Sequence, residues 1–272
     1  MNNNEMFTDS DRLAIEDCGD YLSFGVTDDG ELRLIASNFC RKRYCPMCQW
    51  RKSEKQYSNC LKLSQELSKQ GYRFIHLVLT VPNCKGGIVL QKTIKNMNKA
   101  FAVFIKYREI KRAFKGIMRC LEISYNYETH SFHPHFHCLV AVKSSYFNNA
   151  KHYIKYDTIR QLWSKANKSE QLLQCSVGAI KGDDTLGFAE VSKYCLKPLD
   201  FDKGNCAENA YILYTLAYTL KGTRFIQTYG VIKSELNKIK EENKSNDRIE
   251  TYKRMYEFVW NYKKHKYEQI GE

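Results

Sequence analysis

The sequence predicts a mixed α+β fold, because segments with the two-residue period of strands and segments with helical spacing both occur along its 272 residues. Apolar residues alternate with other side chains through residues 117–125 and again through residues 133–142, as they do on strands. Residues 74–81 are apolar almost throughout, which is typical of a central strand. Elsewhere apolar residues recur at every third or fourth position, which predicts helices with one buried face.

The composition indicates a soluble globular protein with a polyanionic partner. Hydrophobic residues make up 43% of the chain, which is enough for a substantial core. The formal net charge is +13 and the pI is about 9.1, so nucleic acid is the expected partner. Ribosome-associated and membrane-surface proteins share such a charge, so charge by itself leaves those classes open.

The amino-terminal residues favour a cytoplasmic protein that has no membrane partner. Residues 1–20 are polar and acidic and lack the apolar core of a signal peptide. No later apolar run approaches the roughly 20 residues that a membrane-spanning helix needs. In a reducing compartment the eleven cysteines are expected to be free thiols and metal ligands rather than a disulfide framework.

A cysteine cluster, Cys40, Cys45 and Cys48, predicts a structural zinc site near the amino terminus. The Cys-x2-Cys turn supplies two of the four ligands of a zinc tetrahedron at the right separation. Cys18, which precedes a glycine, is the candidate fourth ligand. Free thiols are the alternative. A redox pair is less favoured, because no thioredoxin-like βαβ pattern surrounds the turn.

Basic residues flank this cluster and predict a surface for phosphate contacts. A solvated charged face without a ligand is the simpler alternative. The predicted DNA-binding residues are Arg41, Lys42, Arg43, Arg51 and Lys52, with Lys55 nearby.

A pair of imidazoles on one strand predicts a second metal site, because His135 and His137 lie two positions apart and point to the same face. Two independent core histidines are the alternative. Glu122, on the preceding strand, is the candidate third ligand, and Pro134 favours a position for His133 at the mouth of the site. Imidazole and carboxylate together suit Mn²⁺ or Mg²⁺ acting on a phosphate better than Zn²⁺.

The remaining elements follow from spacing and from turn residues. Helices are predicted from Trp50 to Gly71, over residues 88–114, around Trp163 and over residues 210–217. Strands are predicted at 74–81, where His76 is expected to be a hydrogen-bonded core residue, at 172–180 and, as a short strand or turn, at 224–230. A helix capped near Asp183 carries Glu190, Tyr194 and Lys197 and stops near Pro198. The last segment, 233–272, has apolar residues at helical spacing and is predicted to be a helical tail.

Six segments, in order and at plausible separations, resemble plasmid rolling-circle replication initiators of the HUH endonuclease superfamily, in the branch with one catalytic tyrosine. They cover most of the chain up to about Lys233. The segments are Cys45–Lys52, Leu79–Pro82, Leu121–Asn126, His133–Leu139, Glu190–Lys197 and Leu220–Arg224.

The resemblance implies a five-stranded antiparallel sheet flanked by helices, with the histidines on a central strand and the tyrosine on a helix that faces them. We predict three domains: a zinc-binding basic region (1–70), a catalytic nicking-joining domain (71–232) and the helical tail (233–272), to which the resemblance does not extend. His135 and His137 then hold the catalytic ion. Tyr194 is the nucleophile, Glu190 assists the closing reaction and Lys197 lies near the scissile phosphate.

The function that this implies is metal-dependent nicking and joining of single-stranded DNA at a plasmid origin through a 5′-phosphotyrosine. The expected partners are single-stranded or hairpin-extruded origin DNA and a host helicase and polymerase. A homodimer is one of two routes to the second strand transfer that replication needs. No Gly-x-x-x-x-Gly-Lys-Ser/Thr loop is present, so neither ATPase nor helicase activity is expected.

Three other classes use some of the same residues. Mobilisation relaxases usually place the tyrosine before the histidines, whereas Tyr194 follows them. Small single-tyrosine transposases lack the cysteine cluster. The third class is a non-catalytic zinc-containing nucleic-acid-binding protein whose histidines are structural.

Overall fold

The computed structural model describes residues 8–42, 44–180, 204–246, 252 and 254–271. Its helices are α1 (Asp9–Glu16), α2 (Pro46–Lys69), α3 (Gly87–Phe104), α4 (Arg108–Ala113), α5 (Ser145–Asn148), α6 (Tyr156–Ala166), α7 (Cys206–Thr219) and α8 (Gly230–Asn246). Its strands are β1 (Tyr21–Val26), β2 (Leu32–Ser37), β3 (Tyr72–Thr80), β4 (Phe114–Asn126), β5 (Ser131–Lys143), β6 (Cys175–Ile180), β7 (Ile226–Tyr229), β8 (Arg254–Asn261) and β9 (Lys266–Gly271).

The chain divides into two compact units. The smaller unit joins Met1–Glu54 to Lys240–Glu272, and the larger unit is the continuous segment Lys55–Ile239. Both boundaries fall inside helices, one in α2 and the other in α8. Among the described helices, none has both the length and the apolar character that crossing a bilayer requires.

The larger unit contains a five-stranded antiparallel sheet with the strand order β6-β3-β5-β4-β7. This confirms the expected five-stranded antiparallel sheet and the central position of the histidine strand, β5. β3 and β4 each pair with most of β5, so both edges of the histidine strand are hydrogen-bonded. Such pairing holds the strand in one register.

Helices cover both faces of this sheet. Phe136, Cys138 and Val140 of β5 point to one face, where they pack in a core with residues of α3, α6 and α7. Leu139 and Ala141 point to the other face, where they pack with residues of α2 and α8. The strict alternation along β5 therefore places the even-numbered residues of this run against α3 and the odd-numbered residues against α2.

The predicted helix over residues 88–114 is two helices, α3 and α4, separated by a short connection. Tyr107 has φ −57° and ψ 140°, an extended conformation that ends the helical path before α4 begins. Phe114 does not end a helix but begins β4, where it pairs with Val142 of β5.

The smaller unit contains a second antiparallel sheet, with the strand order β2-β1-β8-β9. The prediction of a helical tail over 233–272 is wrong for residues 254–271, because they form the hairpin of β8 and β9 in this sheet. Tyr252, Tyr256 and Val259 have helical spacing, but Tyr256, Phe258 and Trp260 also alternate as on a strand. The strand forms because β8 pairs with β1, and the centroid of the Phe258 ring lies 5.9 Å from that of Phe24.

Gly230 provides a test of the junction between β7 and α8. Its φ is +58°, and a Cβ there would overlap the carbonyl oxygen of Lys115 on β4. Gly222 also has a positive φ, +74°, but a Cβ there meets nothing within 4 Å. Gly222→Ala is therefore expected to cost only the left-handed strain, about 1 kcal/mol, and to lower Tm by about 2–4 °C.

Gly230→Ala is expected to lower Tm at least twice as much, because the strain and the steric overlap add. Thermal unfolding of the two variants side by side checks this. Equal losses of Tm would show that the contact with Lys115 is unimportant.

Candidate active site

Glu122, His135 and His137 meet on the α2 face of the larger sheet. The register pairs Glu122 with His135 and Cys120 with His137 across β4 and β5. Oε2 of Glu122 lies 3.2 Å from Nε2 of His135 and 2.8 Å from Nε2 of His137. All three ligand atoms lie within 4.8 Å of one another, a spacing at which one ion could contact them all. The structure thus brings together the three residues predicted as ligands.

Burial and the neighbouring imidazoles shift the pKa of Glu122 in opposite directions. Its side chain is 13% exposed, and burial alone would raise the pKa of its carboxyl group. Hydrogen bonds to His135 and His137, and then their positive charge, outweigh burial and lower the Glu122 pKa to about 2. The carboxylate is therefore ionised at neutral pH, which is the form that ligates a cation.

The other ring nitrogen of each histidine is engaged by a neighbour. Nδ1 of His137 lies 3.0 Å from Nε2 of His76 on β3, and Nδ1 of His135 lies 3.0 Å from the carbonyl oxygen of His133. These contacts orient both rings so that the Nε2 atoms face Glu122. Such partners fix the tautomer and the orientation of a metal-binding imidazole.

His76 is a neighbour of the candidate site that the sequence analysis did not place there. Its prediction as a hydrogen-bonded residue is confirmed, but its partner is His137. The register of β3 against β5 pairs Val78 with His137, so His76 lies two residues away on the same face. Because the apolar run 74–81 shows no alternation, sequence spacing did not reveal which face His76 occupies.

His133 lies at the edge of the site, half-buried, and is not one of the three grouped residues. Its Nδ1 is 2.6 Å from Oδ1 of Asn83, and its ring stacks on that of His135 with centroids 5.1 Å apart. Burial lowers the pKa of His133, and the nearby charge of His135 lowers it further. A neutral ring at neutral pH agrees with a supporting position.

The four cysteines predicted to form the zinc site meet in the smaller unit. The sulfur atoms of Cys18, Cys40, Cys45 and Cys48 lie within 4.8 Å of one another. Nine of the described cysteines, these four among them, are free thiols. A cluster of this kind can bind zinc, which prefers four thiolates in a tetrahedron.

Backbone N–H groups point at these sulfur atoms. The N–H of Cys40 donates to Sγ of Cys18 at 3.3 Å, and the N–H of Arg41 donates to Sγ of Cys48 at 3.2 Å. Burial raises the pKa of the Cys18 and Cys40 thiols. Burial also opposes ionisation of Cys45, but hydrogen bonds from the Cys48 backbone and the neighbouring thiols lower its pKa. Backbone N–H groups thus favour negative charge on these sulfur atoms, whereas burial opposes it.

The predicted basic surface is partly engaged in contacts within the smaller unit. Lys42 forms an ion pair with Asp11, and the Arg51 guanidinium lies 3.8 Å above the ring of Phe39. Arg41 and Lys52 are exposed. Arg43 lies outside the described residues.

Three further predicted residues, Tyr194, Glu190 and Lys197, also lie outside the described residues. The predicted helix that begins near Asp183 does so as well.

The fold and these two clusters define an α+β protein with two groups of potential metal ligands, one of imidazole and carboxylate and one of thiols. A family model described as "Replication protein" matches residues 31–268, and the chain belongs to this family of plasmid replication proteins.

Several curated relatives are similar over most of their length. A protein named "Protein rep" from Lactiplantibacillus plantarum is 32% identical over 241 residues, which cover 85% of this chain and 76% of that protein. Another, from a Bacillus species, is 34% identical over 244 residues, which cover 81% of this chain and 78% of that protein. A third, from Lentilactobacillus hilgardii, is 28% identical over 271 residues, which cover 93% of this chain and 86% of that protein. No solved structure matches the chain significantly.

The cysteine cluster is tested by Cys45→Ser, with Cys60→Ser as the matched control. Cys60 is equally buried in the larger unit but is not part of the cluster. Cys45→Ser is expected to reduce the zinc content from about one ion per chain and to lower Tm, because a four-ligand site loses one thiolate. Elemental analysis and thermal unfolding provide the measurements.

Cys60→Ser is expected to keep the zinc of the wild-type protein. If the wild-type protein purified without chelators contains no zinc, or if both variants retain it equally, the cluster is not a zinc site.

Proposed function

We propose that this replication protein initiates rolling-circle replication by nicking and rejoining single-stranded DNA at a plasmid origin, as an HUH-type endonuclease with one catalytic tyrosine. The main supporting observation is the convergence of His135, His137 and Glu122 on one face of the central strand pair. Membership of the replication protein family supports binding to origin DNA. The same membership favours an initiator over a mobilisation relaxase or a transposase.

The donor set fits a divalent cation. Nε2 of His135, Nε2 of His137 and Oε2 of Glu122 would hold it, and carboxylate with imidazole suits Mn²⁺ or Mg²⁺. Oε2 of Glu122 is buried and lies beside these two rings, so a cation would compensate its charge. The ion would supply electrostatic stabilisation of charge on the scissile phosphate.

Tyr194 is proposed as the nucleophile. Its phenolic oxygen forms a bond to the scissile phosphorus while the bond from phosphorus to the 3′ oxygen breaks, and the phenol proton is transferred through solvent to that 3′ oxygen, which becomes a hydroxyl. The product is a 5′-phosphotyrosine. Lys197 is proposed to lie beside the phosphate and balance its charge. The phosphodiester energy is retained, so the reverse reaction can rejoin the strand without a nucleotide cofactor.

Glu190 is proposed to act in termination. Replication needs a second strand transfer, and a protein with one tyrosine must use water or a second subunit for it. Glu190 lies four residues before Tyr194, and on the predicted helix this spacing would let it accept a proton from such a water. The position of Glu122 beside both imidazoles supports the proposal that Glu122 is the ligand and Glu190 the base.

The proposed partners are single-stranded or hairpin-extruded origin DNA, with Arg41, Lys42, Arg43, Arg51 and Lys52 contributing phosphate contacts, and a host helicase and polymerase. We propose that nicking belongs to the segment 71–232. A homodimer would offer a second tyrosine as the nucleophile for the second strand transfer. Water activated by Glu190 is the alternative nucleophile.

The proposed chemistry is tested by Tyr194→Phe, with Tyr214→Phe as a control. Tyr214 is an exposed tyrosine on α7, so its variant removes the same oxygen from a surface position. Wild-type protein and Tyr214→Phe are expected to form a covalent adduct with labelled single-stranded origin DNA and Mn²⁺, whereas Tyr194→Phe binds the DNA without an adduct. Denaturing gel electrophoresis measures this.

An adduct of Tyr194→Phe at the wild-type level would place the nucleophile elsewhere. If wild-type protein binds DNA but forms no adduct with any origin strand, the protein is a non-catalytic zinc-containing nucleic-acid-binding protein.

The contact between His76 and His137 gives a prediction that does not depend on activity. His76→Phe removes the hydrogen-bonding nitrogen, so Mn²⁺ affinity is expected to fall by roughly 10- to 100-fold. His76→Gln places a polar group near the same point and is expected to lose less affinity. Isothermal titration of metal into the purified protein compares them, and equal affinity of wild type and His76→Phe would contradict a supporting role for His76.

A further inference from the structure

The turn between β4 and β5 is fastened to the first turn of α7 by side-chain contacts. The hydroxyl of Tyr125 donates to Oε1 of Glu208 at 3.2 Å, and Nδ1 of His130 lies 2.8 Å from the same oxygen. The hydroxyl of Tyr127 donates to Oδ1 of Asn209 at 3.1 Å. We call these five side chains the α7 clamp. Because β4 and β5 carry the three grouped ligand residues, the clamp joins α7 to the strand pair of the candidate active site.

The acceptor and the donor at the centre of the clamp are sheltered from water. The side chain of Glu208 is 20% exposed. The ring of Tyr125 packs edge-on against the rings of Tyr127 and Phe132, with centroids 5.1 Å and 4.9 Å apart. Burial and then the hydrogen bond to Glu208 raise the pKa of Tyr125 to about 12, so the hydroxyl stays protonated and donates. A hydrogen bond to a charged, sheltered acceptor is stronger than an exposed ion pair.

The chain enters α7 through a close contact at Gly204. Oδ1 of Asn205 accepts from the N–H of Glu208 at 2.9 Å and caps the helix, and Nδ2 of Asn209 donates to the carbonyl oxygen of Gly204 at 3.0 Å. A Cβ at Gly204 would lie 2.5 Å from Oδ1 of Asn209 and 2.6 Å from the ring of Tyr127. A side chain at this position would therefore displace the clamp, so the clamp and Gly204 are packed as one unit.

Gly204 directly follows segment 181–203, which contains the proposed nucleophile, Tyr194. The residue before that segment, Ile180, is buried and pairs with Phe74 of β3. Both residues that flank the segment are therefore attached to the sheet that carries the histidines. A chain attached at both ends reaches fewer positions than a chain attached at one end, so a group on it has a higher effective concentration near the site.

We propose that Glu208 is a positioning residue for the nicking reaction, because its contacts with Tyr125 and His130 fix the point at which the chain leaves the nucleophile segment. The proposal rests on the proposed function, in which Tyr194 is the nucleophile. Glu208 acts through the position of Gly204 and not on the reacting atoms. Loss of the clamp then slows attack on the phosphate while the affinities for DNA and metal are retained.

Glu208 has another physical explanation, because an acidic residue in the first turn of a helix is stabilised by the helix dipole. The two explanations predict different effects of Glu208→Gln. This change removes the negative charge but keeps an acceptor oxygen for Tyr125 and His130. A clamp needs the acceptor, whereas the helix dipole needs the charge.

The test uses the full chain with Mn²⁺ and labelled single-stranded origin DNA. Glu208→Ala and Glu208→Gln are compared with the double variant Tyr125→Phe, Tyr127→Phe, which keeps both rings and removes both hydroxyls. The control is Glu109→Ala, since Glu109 is an exposed acid in the first turn of α4. The single-turnover rate of adduct formation at saturating DNA, the affinities for DNA and Mn²⁺, Tm and the hydrogen exchange of residues 204–210 are measured.

Glu208→Ala and the double variant are expected to form the adduct roughly 10-fold or more slowly, because small misplacement of a reacting group is costly. Their dissociation constants for DNA and Mn²⁺ are expected to stay within about twofold of wild type, as for a loss confined to the chemical step. Residues 204–210 exchange faster in both variants. Glu208→Gln and Glu109→Ala keep rates close to that of the wild-type protein.

A wild-type rate in Glu208→Ala, with or without a lower Tm, would overturn the proposal. So would a rate for Glu208→Gln as low as that for Glu208→Ala, or a loss of DNA affinity that accounts for the slower reaction. If wild-type protein forms no adduct, the proposed chemistry fails. Hydrogen exchange then decides the clamp by itself: faster exchange of residues 204–210 in Glu208→Ala supports it, and unchanged exchange contradicts it.

Discussion

The register between β4 and β5 is the constraint on which the candidate active site depends. It sets Glu122 opposite His135 and Cys120 opposite His137, so that one carboxylate faces two imidazoles. Successive residues of a strand point to opposite faces, and a slip by one residue would turn the carboxylate into the α3 core. Burial enforces this register. Phe136, Cys138 and Val140 of β5 are apolar and lie in the core on one face, so the histidines that alternate with them must point to the other face.

The reverse face of β5 keeps this strand in place. Phe136 is fully buried and contacts the ring of Phe101 at 5.5 Å between centroids. Arg119 of β4 is also fully buried, with its guanidinium 4.1 Å from the centre of the Phe136 ring and a hydrogen bond to Asn98 of α3. Burial lowers the pKa of Arg119, since its charge faces aromatic rings and an amide rather than a carboxylate. Asn98 of α3, the Arg119 guanidinium and the Phe136 ring thus support β4 and β5 on the face opposite the histidines.

Local periodicity predicted the parts of the structure in which one short stretch determines the geometry. The shared face of His135 and His137 follows from their spacing, and the grouping with Glu122 follows from two strands joined by a short turn. Cys18 was found because a Cys-x2-Cys turn needs two more ligands. His76 was assigned no role in the site, because its relation to His137 depends on strand pairing that an apolar run does not reveal.

Long-range pairing accounts for the larger error in the smaller unit. The alternation in β1 is short, and β8 has both helical and strand spacing, so neither segment by itself indicates a sheet. Their pairing makes the sheet: the hydroxyl of Tyr21 donates to Glu257 at 2.7 Å although these residues are 236 positions apart. No local pattern contains that information.

The same pairing has a consequence for biosynthesis. Ribosomes add about 5–20 residues per second, so β1 waits roughly 10–50 seconds for the segment that completes its sheet. The larger unit is continuous in sequence and has its whole strand set before then. The histidine site can therefore be assembled on the nascent chain while β1 still has an open edge. Exposure of that edge to other nascent chains is limited by the time that translation takes to reach the final hairpin.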